Sequence, residues 1–272
     1  MDKVRRNERL SAMMKILTDS PNRLFTLNYF CNLFGTVKST MSEDVDILRD
    51  TVRAYDLGAI ETVTGAAGGV LYRPLTSRKK ALHFLTDLSA KLSGSERVLP
   101  GGFLYYSDIL AEPEIVRNMG EIIATEYQGC GADFVLTMET KGIPVAYATA
   151  NALGIPLVIA RHSSKVYEGS AVNINYVSGS GNIETMSLSR RAVREGTRAL
   201  IVDDFLKGGG TAKGMVELMR EFNVSVVGTA FVMATATPEK KRITGEKALM
   251  TLKITDADIP EAIVSPSSWL GE

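Results

Sequence analysis

Two adjacent carboxylates, Asp203 and Asp204, close the apolar run Ala199-Leu200-Ile201-Val202, and Lys207, Gly208, Gly209, Gly210 and Thr211 follow them. These residue types in this order describe a phosphate site. Three glycines free the backbone to wrap an anion, and a helix opening at Thr211 turns its N–H groups and positive dipole end toward it. The paired acids suit ribose hydroxyls, or a hydrated divalent cation held through them. A glycine run alone is weak. An apolar strand, two aspartates, a glycine loop and a helix in succession are specific. Lysine is a good ligand for phosphate and a poor base toward a neutral ring, so Lys207 argues for binding rather than proton abstraction.

The surrounding pattern must hold this loop in place. Strand-like apolar runs occur at 134–138, 157–160, 199–202 and 225–232, with helical periodicity at 114–127, 145–153 and 211–222. That alternation predicts a Rossmann-like α/β domain, a mostly parallel sheet covered by helices. Residues 171–188 alternate around a Gly/Ser centre and read as a long, exposed β-hairpin loop. Ser77 caps a further helix to Leu92, with Leu82, Leu85 and Leu88 inward.

The first 74 residues read differently. Leu10, Met13, Met14 and Leu17 mark one helix, and Leu27, Phe30, Cys31 and Phe34 a second, stopped by Gly35. A third starts near Val37 or Lys38 and carries Met41, Val45, Leu48, Val52 and Tyr55 on its apolar face. Short strands at 59–63 and 70–72 flank a glycine-rich turn. Three helices and a hairpin in this order form a winged helix-turn-helix. Lys38, Ser39, Thr40 and Ser42 crowd the start of the third helix, where short hydroxyls and a cation reach phosphates and base edges. Gly65 and Gly68 would let the wing approach DNA, and Arg5, Arg6, Arg9 and Arg73 would add phosphate contacts. A plain helical subdomain is the competing reading, since Glu43, Asp44, Asp46 and Asp50 make the later part of that helix acidic. The expected domains are residues 1–74 and 75–272.

Bulk properties narrow the classes. The formal net charge is zero, but residues 1–80 hold 13 Lys/Arg against 9 Asp/Glu and the rest 18 against 22, a weakly basic head on a weakly acidic body. Cys31 and Cys130 lack metal-type spacing, and His83 and His162 are the only histidines, which argues against a zinc site and for free thiols. No run of about 18 apolar residues exists, and the charged start MDKVRRNERL lacks an apolar signal core, so a cytoplasmic protein without membrane contact is expected.

The string 199–214 resembles the phosphoribosyl-pyrophosphate motif of type I phosphoribosyltransferases. Glu139-Thr140-Lys141-Gly142-Ile143-Pro144 is similar to that family's pyrophosphate loop, and 157–165, with Arg161 and Lys165, to its following strand and mobile loop. With its head, the chain resembles the purine operon repressor family of Gram-positive bacteria. The carrying strings are PGGFLYYSDIL (100–110), KGIPVAYA (141–148), SGSGNIETMSLSRR (178–191) and VDDFLKGGGT (202–211). The resemblance implies a homodimeric repressor of purine biosynthesis and transport genes that binds operator double-stranded DNA. It further implies release by phosphoribosyl pyrophosphate, with or without Mg²⁺, on a non-catalytic domain. The implied effector residues are Asp203, Asp204, Phe205, Lys207, Gly208, Gly209, Gly210, Thr211, Thr140, Lys141, Gly142, Arg161 and Lys165; no residue is assigned a catalytic role, and none forms a metal site alone. Lys207 and Gly208 depart from the family, where a carboxylate or small residue and then Ser or Thr are frequent. An active purine phosphoribosyltransferase that also binds DNA is the alternative, and a plain salvage enzyme with a dimerisation head a third. Phe103 and Tyr105, with Tyr106, either belong to the core or border the pocket. There they could stack on the base of a competing guanine nucleotide bearing a diphosphate.

Overall fold

The computed structural model describes residues 4–65, 68–164, 169–178 and 181–271. They divide into two compact units, residues 1–77 with 151–154, and the remainder.

The first unit packs α1 (Arg6–Asp19), α2 (Leu27–Phe34) and α3 (Lys38–Ala54) against the antiparallel hairpin β1 (Ala59–Val63) and β2 (Gly69–Arg73). The Thr26 side chain accepts from the Tyr29 N–H to cap α2, and Gly35 ends that helix in the left-handed region. Met13, Leu17, Phe30, Met41, Val45, Val52 and Val70 form the dry core, while the expected core residue Tyr55 is the C-cap of α3 and is exposed. One charged group lies inside. Asp44 on α3 is fully buried, and its Oδ2 accepts from Arg9 Nε of α1 at 2.7 Å. Arg9 Nη1 also donates to the Val4 carbonyl, and Arg6 Nε stands 3.2 Å from the other Asp44 oxygen. This ion pair sets the angle between α1 and α3.

The second unit opens with α4 (Arg78–Leu92), followed by the short strands β3 (Val98–Leu99) and β4 (Phe103–Leu104). Ala81, Leu85, Leu88 and Leu92 form the inner stripe of α4; Leu82, expected inward, is 40% exposed because the 3.6-residue period carries it off that stripe. Then come α5 (Pro113–Glu126), β5 (Phe134–Met138), α6 (Ile143–Leu153) and β6 (Leu157–Ala160). The hairpin β7 (Ala171–Val177) and β8 (Ile183–Ser189) leads to β9 (Arg198–Leu206), α7 (Gly210–Glu221), β10 (Ser225–Thr235), β11 (Lys247–Ile254) and β12 (Ala262–Pro266).

Six strands form one sheet in the order β12-β11-β10-β9-β5-β6, parallel except for β12. From β5 the chain steps outward to β6, and from β9 it steps the other way to β10. The order reverses between β5 and β9, and loops at such a reversal diverge above the strand ends to leave a crevice. The β7–β8 hairpin corrects the expectation of an exposed loop. Its alternation places Val172, Tyr176, Met186 and Leu188 on one face, and that face is buried with Met215 and Leu218 of α7 in the main core.

Removing one partner of the buried pair in the first unit should strand the other charge. Asp44→Asn should destabilise that unit by about 3–5 kcal/mol. In calorimetry of the full chain a separate, lower-temperature transition is expected, with the main transition unmoved. A melting curve superimposable on wild type would refute the assignment.

Candidate functional site

The loops that follow β5 and β9 meet in the crevice. β9 is central and buried for most of its length, and Asp203 near its end is only 7% exposed. Asp203 Oδ1 accepts the backbone N–H of Asp204 at 3.0 Å. Burial and the neighbouring Asp204 carboxylate push the Asp203 carboxyl well above the usual carboxylate range. Opposite it stands Gly142, at the start of α6. A Cβ at this position would lie 1.9 Å from Asp203 Oδ1 and 2.5 Å from Thr137 Oγ1, so the approach of the two loops requires glycine here.

The glycine loop behaves as its composition suggests. Gly209 takes a positive φ and precedes α7, which opens at Gly210, one residue before the expected Thr211. A Cβ on Gly210 would meet the Val177 carbonyl at 2.0 Å, so β7 presses on the loop. α7 thus opens in the loop behind the acid pair, directly after Gly209, and a helix start leaves its first N–H groups without intrahelical partners. Lys207 is exposed. Two cations absent from the expected set gather at the same loop. Arg242 donates its backbone N–H to the Gly208 carbonyl, and Lys241 Nζ donates to the Lys207 carbonyl at 2.7 Å. Burial holds the Lys241 ammonium below its usual range, against the opposing pull of Glu246.

On the β5 side, Thr140 and Lys141 are exposed at the mouth and Gly142 is buried. Arg161 lies beyond β6, and its Nη1 is 3.5 Å from Glu139 Oε2, so part of its charge is already matched. Lys165 lies outside the described residues. Of the three aromatics near position 105, Phe103 and Tyr105 are 64% and 43% exposed, and Tyr106 is buried. Tyr106 donates its hydroxyl to Asp204 Oδ2 at 2.5 Å, stacks on Phe205 at 5.9 Å, and carries Lys141 Nζ 4.7 Å above its ring. Burial, with the two aspartates beside it, pushes the Tyr106 phenol above its usual range, which keeps it a proton donor. Among the described residues no group of three or more His, Cys, Asp or Glu is placed to hold a metal ion.

The expected nucleic-acid face is partly assembled. Lys38, Ser39 and Ser42 are exposed at the first turns of α3, and Thr40 is half-buried. Gly65 and Gly68 flank the wing tip, whose residues 66–67 lie outside the described set. Arg5 is exposed. Arg9 is corrected: it is 5% exposed and spent on Asp44, so it cannot reach a phosphate. Arg6 is half-exposed but paired with Glu43 at 2.8 Å, and Arg73 is held by Glu61 and the Asn22 side chain. No helix among the described residues is long and apolar enough to cross a membrane.

Comparison with known proteins follows the same division. The N-terminal family of bacterial purine repressors matches residues 5–74, and the phosphoribosyl transferase domain family matches 105–268. The chain is 44% identical to the probable purine biosynthesis transcriptional regulator PurR of Streptococcus pneumoniae, over 94% of both chains. It is 41% identical to the purine biosynthesis transcriptional repressor PurR of Bacillus subtilis, over 92% of this chain and 88% of that one. It is 38% identical to the purine biosynthesis transcriptional activator PurR of Lactococcus lactis, over 94% of both.

The Asp203 carboxyl has a measurable consequence. An acid whose folded pKa lies above its unfolded value favours the folded state at low pH and loses that advantage as pH rises through the folded pKa. Asp203→Asn removes the buried charge while keeping the shape. Its melting temperature should match wild type near pH 4 and exceed it increasingly toward pH 8. Each kcal/mol of gain corresponds to about 2–4 °C for a domain of this size. A gap that is constant or reversed across this range would contradict the raised carboxyl.

Proposed function

Because the chain belongs to the bacterial purine repressor family, with a phosphoribosyl transferase domain behind its repressor head, we propose that it binds operator DNA of purine biosynthesis and transport genes through residues 1–74 and lets go when phosphoribosyl pyrophosphate occupies residues 75–272. The observation that carries this reading is the Asp203-Asp204 pair at the sheet's reversal point, beside a glycine loop that opens a helix. Asp203 and Asp204 take the ribose hydroxyls. The amides of Gly208, Gly209, Gly210 and Thr211 take the 5′-phosphate, with Lys207, Lys241 and Arg242 supplying positive charge. Thr140, Lys141 and Gly142 face the pyrophosphate, joined by Arg161 and Lys165, and Phe205 walls the ribose end.

The donor set fits Mg²⁺ only as a shared ion. Asp204 offers its second oxygen at the mouth, and no three-ligand cluster surrounds it among the described residues. Bound with the ligand, the ion would neutralise pyrophosphate charge. Phe103 and Tyr105 face solvent and offer a stacking surface for a guanine nucleotide bearing a diphosphate, which would compete for the same loops. The exposed Lys207 replaces the carboxylate that would act on a purine ring, so the site is a receptor rather than an active centre. The unit on DNA is a homodimer reading two half-sites, and the reaction to purine demand takes place in the cytoplasm.

Relatives named as a repressor and as an activator align with this chain over 92% and 94% of its length. Repression is the sign proposed here.

Effector and operator must weaken each other equally, and such coupling typically amounts to about 1–3 kcal/mol, or about 5- to 150-fold. Operator titrations with and without phosphoribosyl pyrophosphate should show a loss in that range; identical curves would refute the reading. In Asp204→Ala, effector affinity by calorimetry should fall about 10- to 150-fold, the loss of a hydrogen bond to a charged group. Operator affinity without effector should stay at the wild-type level. Retained effector affinity would show that Asp204 does not read the ribose.

Lys38→Ala tests the head. If Lys38 neutralises one phosphate, operator affinity should fall and the slope of log affinity against log salt should decrease by about 1. An unchanged slope would remove Lys38 from the interface.

A further inference from the structure

We propose that Tyr106 is a built-in competitor for the effector, a side chain that holds the ribose-reading carboxylate until a ligand displaces it. The inference rests on the reading that Asp204 binds ribose. Tyr106 occupies groups from both halves of the site at once. Its hydroxyl takes Asp204 Oδ2 on the β9 loop, and its ring lies under the Lys141 ammonium from the β5 loop. The residue is 8% exposed and its ring is stacked on Phe205, so the phenol is held in place against the Asp204 carboxylate.

The acceptors left for a ribose are few. Asp203 Oδ1 is turned into the Asp204 N–H and the close approach of Gly142. The Asp204 carboxylate is therefore the more accessible acceptor of the pair, and one of its two oxygens is engaged by a 2.5 Å bond from a phenol held protonated by burial. Two adjacent ribose hydroxyls need acceptors side by side, so the phenol and the diol compete for the same carboxylate. Apparent affinity falls by the fraction of molecules in which the phenol has let go, which raises the ligand concentration needed for release.

Tyr106 is also anchored in a way that makes its displacement consequential. The segment carrying it is pinned by Arg97. The Arg97 guanidinium grips both oxygens of Asp108 at 2.9 and 2.8 Å, its carbonyl accepts from the Tyr105 N–H, and its Nε donates to the Lys91 carbonyl in the last turn of α4. Movement of Tyr106 thus pulls on a segment tied to α4, and α4 is the first element after Ser77 in the chain. Phe103 and Tyr105 cannot take the part, since both face solvent.

Tyr106→Phe in the full-length protein separates the possibilities. It deletes the hydroxyl while keeping the ring, the Phe205 stack and the Lys141 contact, and its melting temperature reports that the fold is intact. Calorimetry with phosphoribosyl pyrophosphate and with ribose 5-phosphate should show about tenfold tighter binding than wild type for both (~1.4 kcal/mol). Inorganic pyrophosphate, which has no diol, should bind both proteins equally. Equal affinities of the two proteins for the ribose ligands would overturn the competition. Weaker binding by the variant would make the hydroxyl a ligand-holding donor and overturn it as well. If wild type binds neither ribose ligand, the effector reading itself fails and the proposal falls with it. Wild-type binding without a gain in the variant refutes Tyr106 alone.

Discussion

Asp203 is a carboxylate withdrawn from water at the end of the central strand, and much of the second unit is arranged around that withdrawal. A strand end can bury an acid only if neighbouring backbone approaches it closely, and here β5 delivers Gly142 into van der Waals reach of the carboxylate. Glycine at that point lets the turn into α6 close down, which in turn fixes where Thr140 and Lys141 emerge. On the other side of the strand end, β7 presses its Val177 carbonyl onto Gly210 and sets the start of α7. The two loops converge around the buried acid, and Asp204 is the partner left part-exposed between them.

Both units contain a buried aspartate, and the difference between them separates structure from function. Asp44 in the first unit is paired with Arg9, so its charge is compensated in place and its removal costs stability. Among the described residues no cation pairs with Asp203, and burial with the neighbouring Asp204 carboxylate pushes its carboxyl toward the neutral form. A fold that only needed packing would place an apolar residue there. A buried acid uncompensated by a cation, in a crevice lined by a glycine loop, is the pattern expected of a binding group, and that is the role proposed for the Asp203-Asp204 pair. The cations near the site sit on the loops rather than on the aspartates: Lys141 lies over the Tyr106 ring, Lys241 donates to the Lys207 carbonyl, and Arg242 donates its backbone N–H to the Gly208 carbonyl and its guanidinium to the Val177 carbonyl.

The local chemistry was legible in the sequence because it is local. Asp203 to Thr211 lie within nine residues, and their order alone specifies strand end, acid pair, loop and helix start. The alternation of apolar runs predicted the parallel sheet, and hydrophobic spacing predicted the three helices of the head. Features made by distant residues were illegible. Tyr106 meets Asp204 across 98 residues, and nothing in PGGFLYYSDIL distinguishes it from the two exposed aromatics beside it. Lys241 and Arg242 reach the glycine loop through backbone carbonyls, a contact with no side-chain signature at the receiving end. Arg9 read as a phosphate contact because an arginine on a helix usually faces water; only its acid partner on another helix reverses that. The β7–β8 hairpin read as exposed because its glycine and serine centre is polar, while the face that packs lies at alternate positions on either side of it.

A transferase site and a receptor site share most of their needs. Both must grip a 5′-phosphate, read a ribose and hold a pyrophosphate, and the loops at a sheet's reversal point do this without reference to what happens next. Turnover requires in addition a second substrate and a group that manages its proton. A receptor instead requires that the empty and filled states differ somewhere that a second domain can feel. In this chain the position three residues past the acid pair is a solvent-facing lysine, which serves anion binding and offers nothing to a purine ring. Tyr106, one of three aromatics near position 105, is turned inward onto the Asp204 carboxylate. Both features accord with the proposed receptor. Arg97 ties the Tyr106 segment to α4, the element through which the proposed displacement of Tyr106 would be felt.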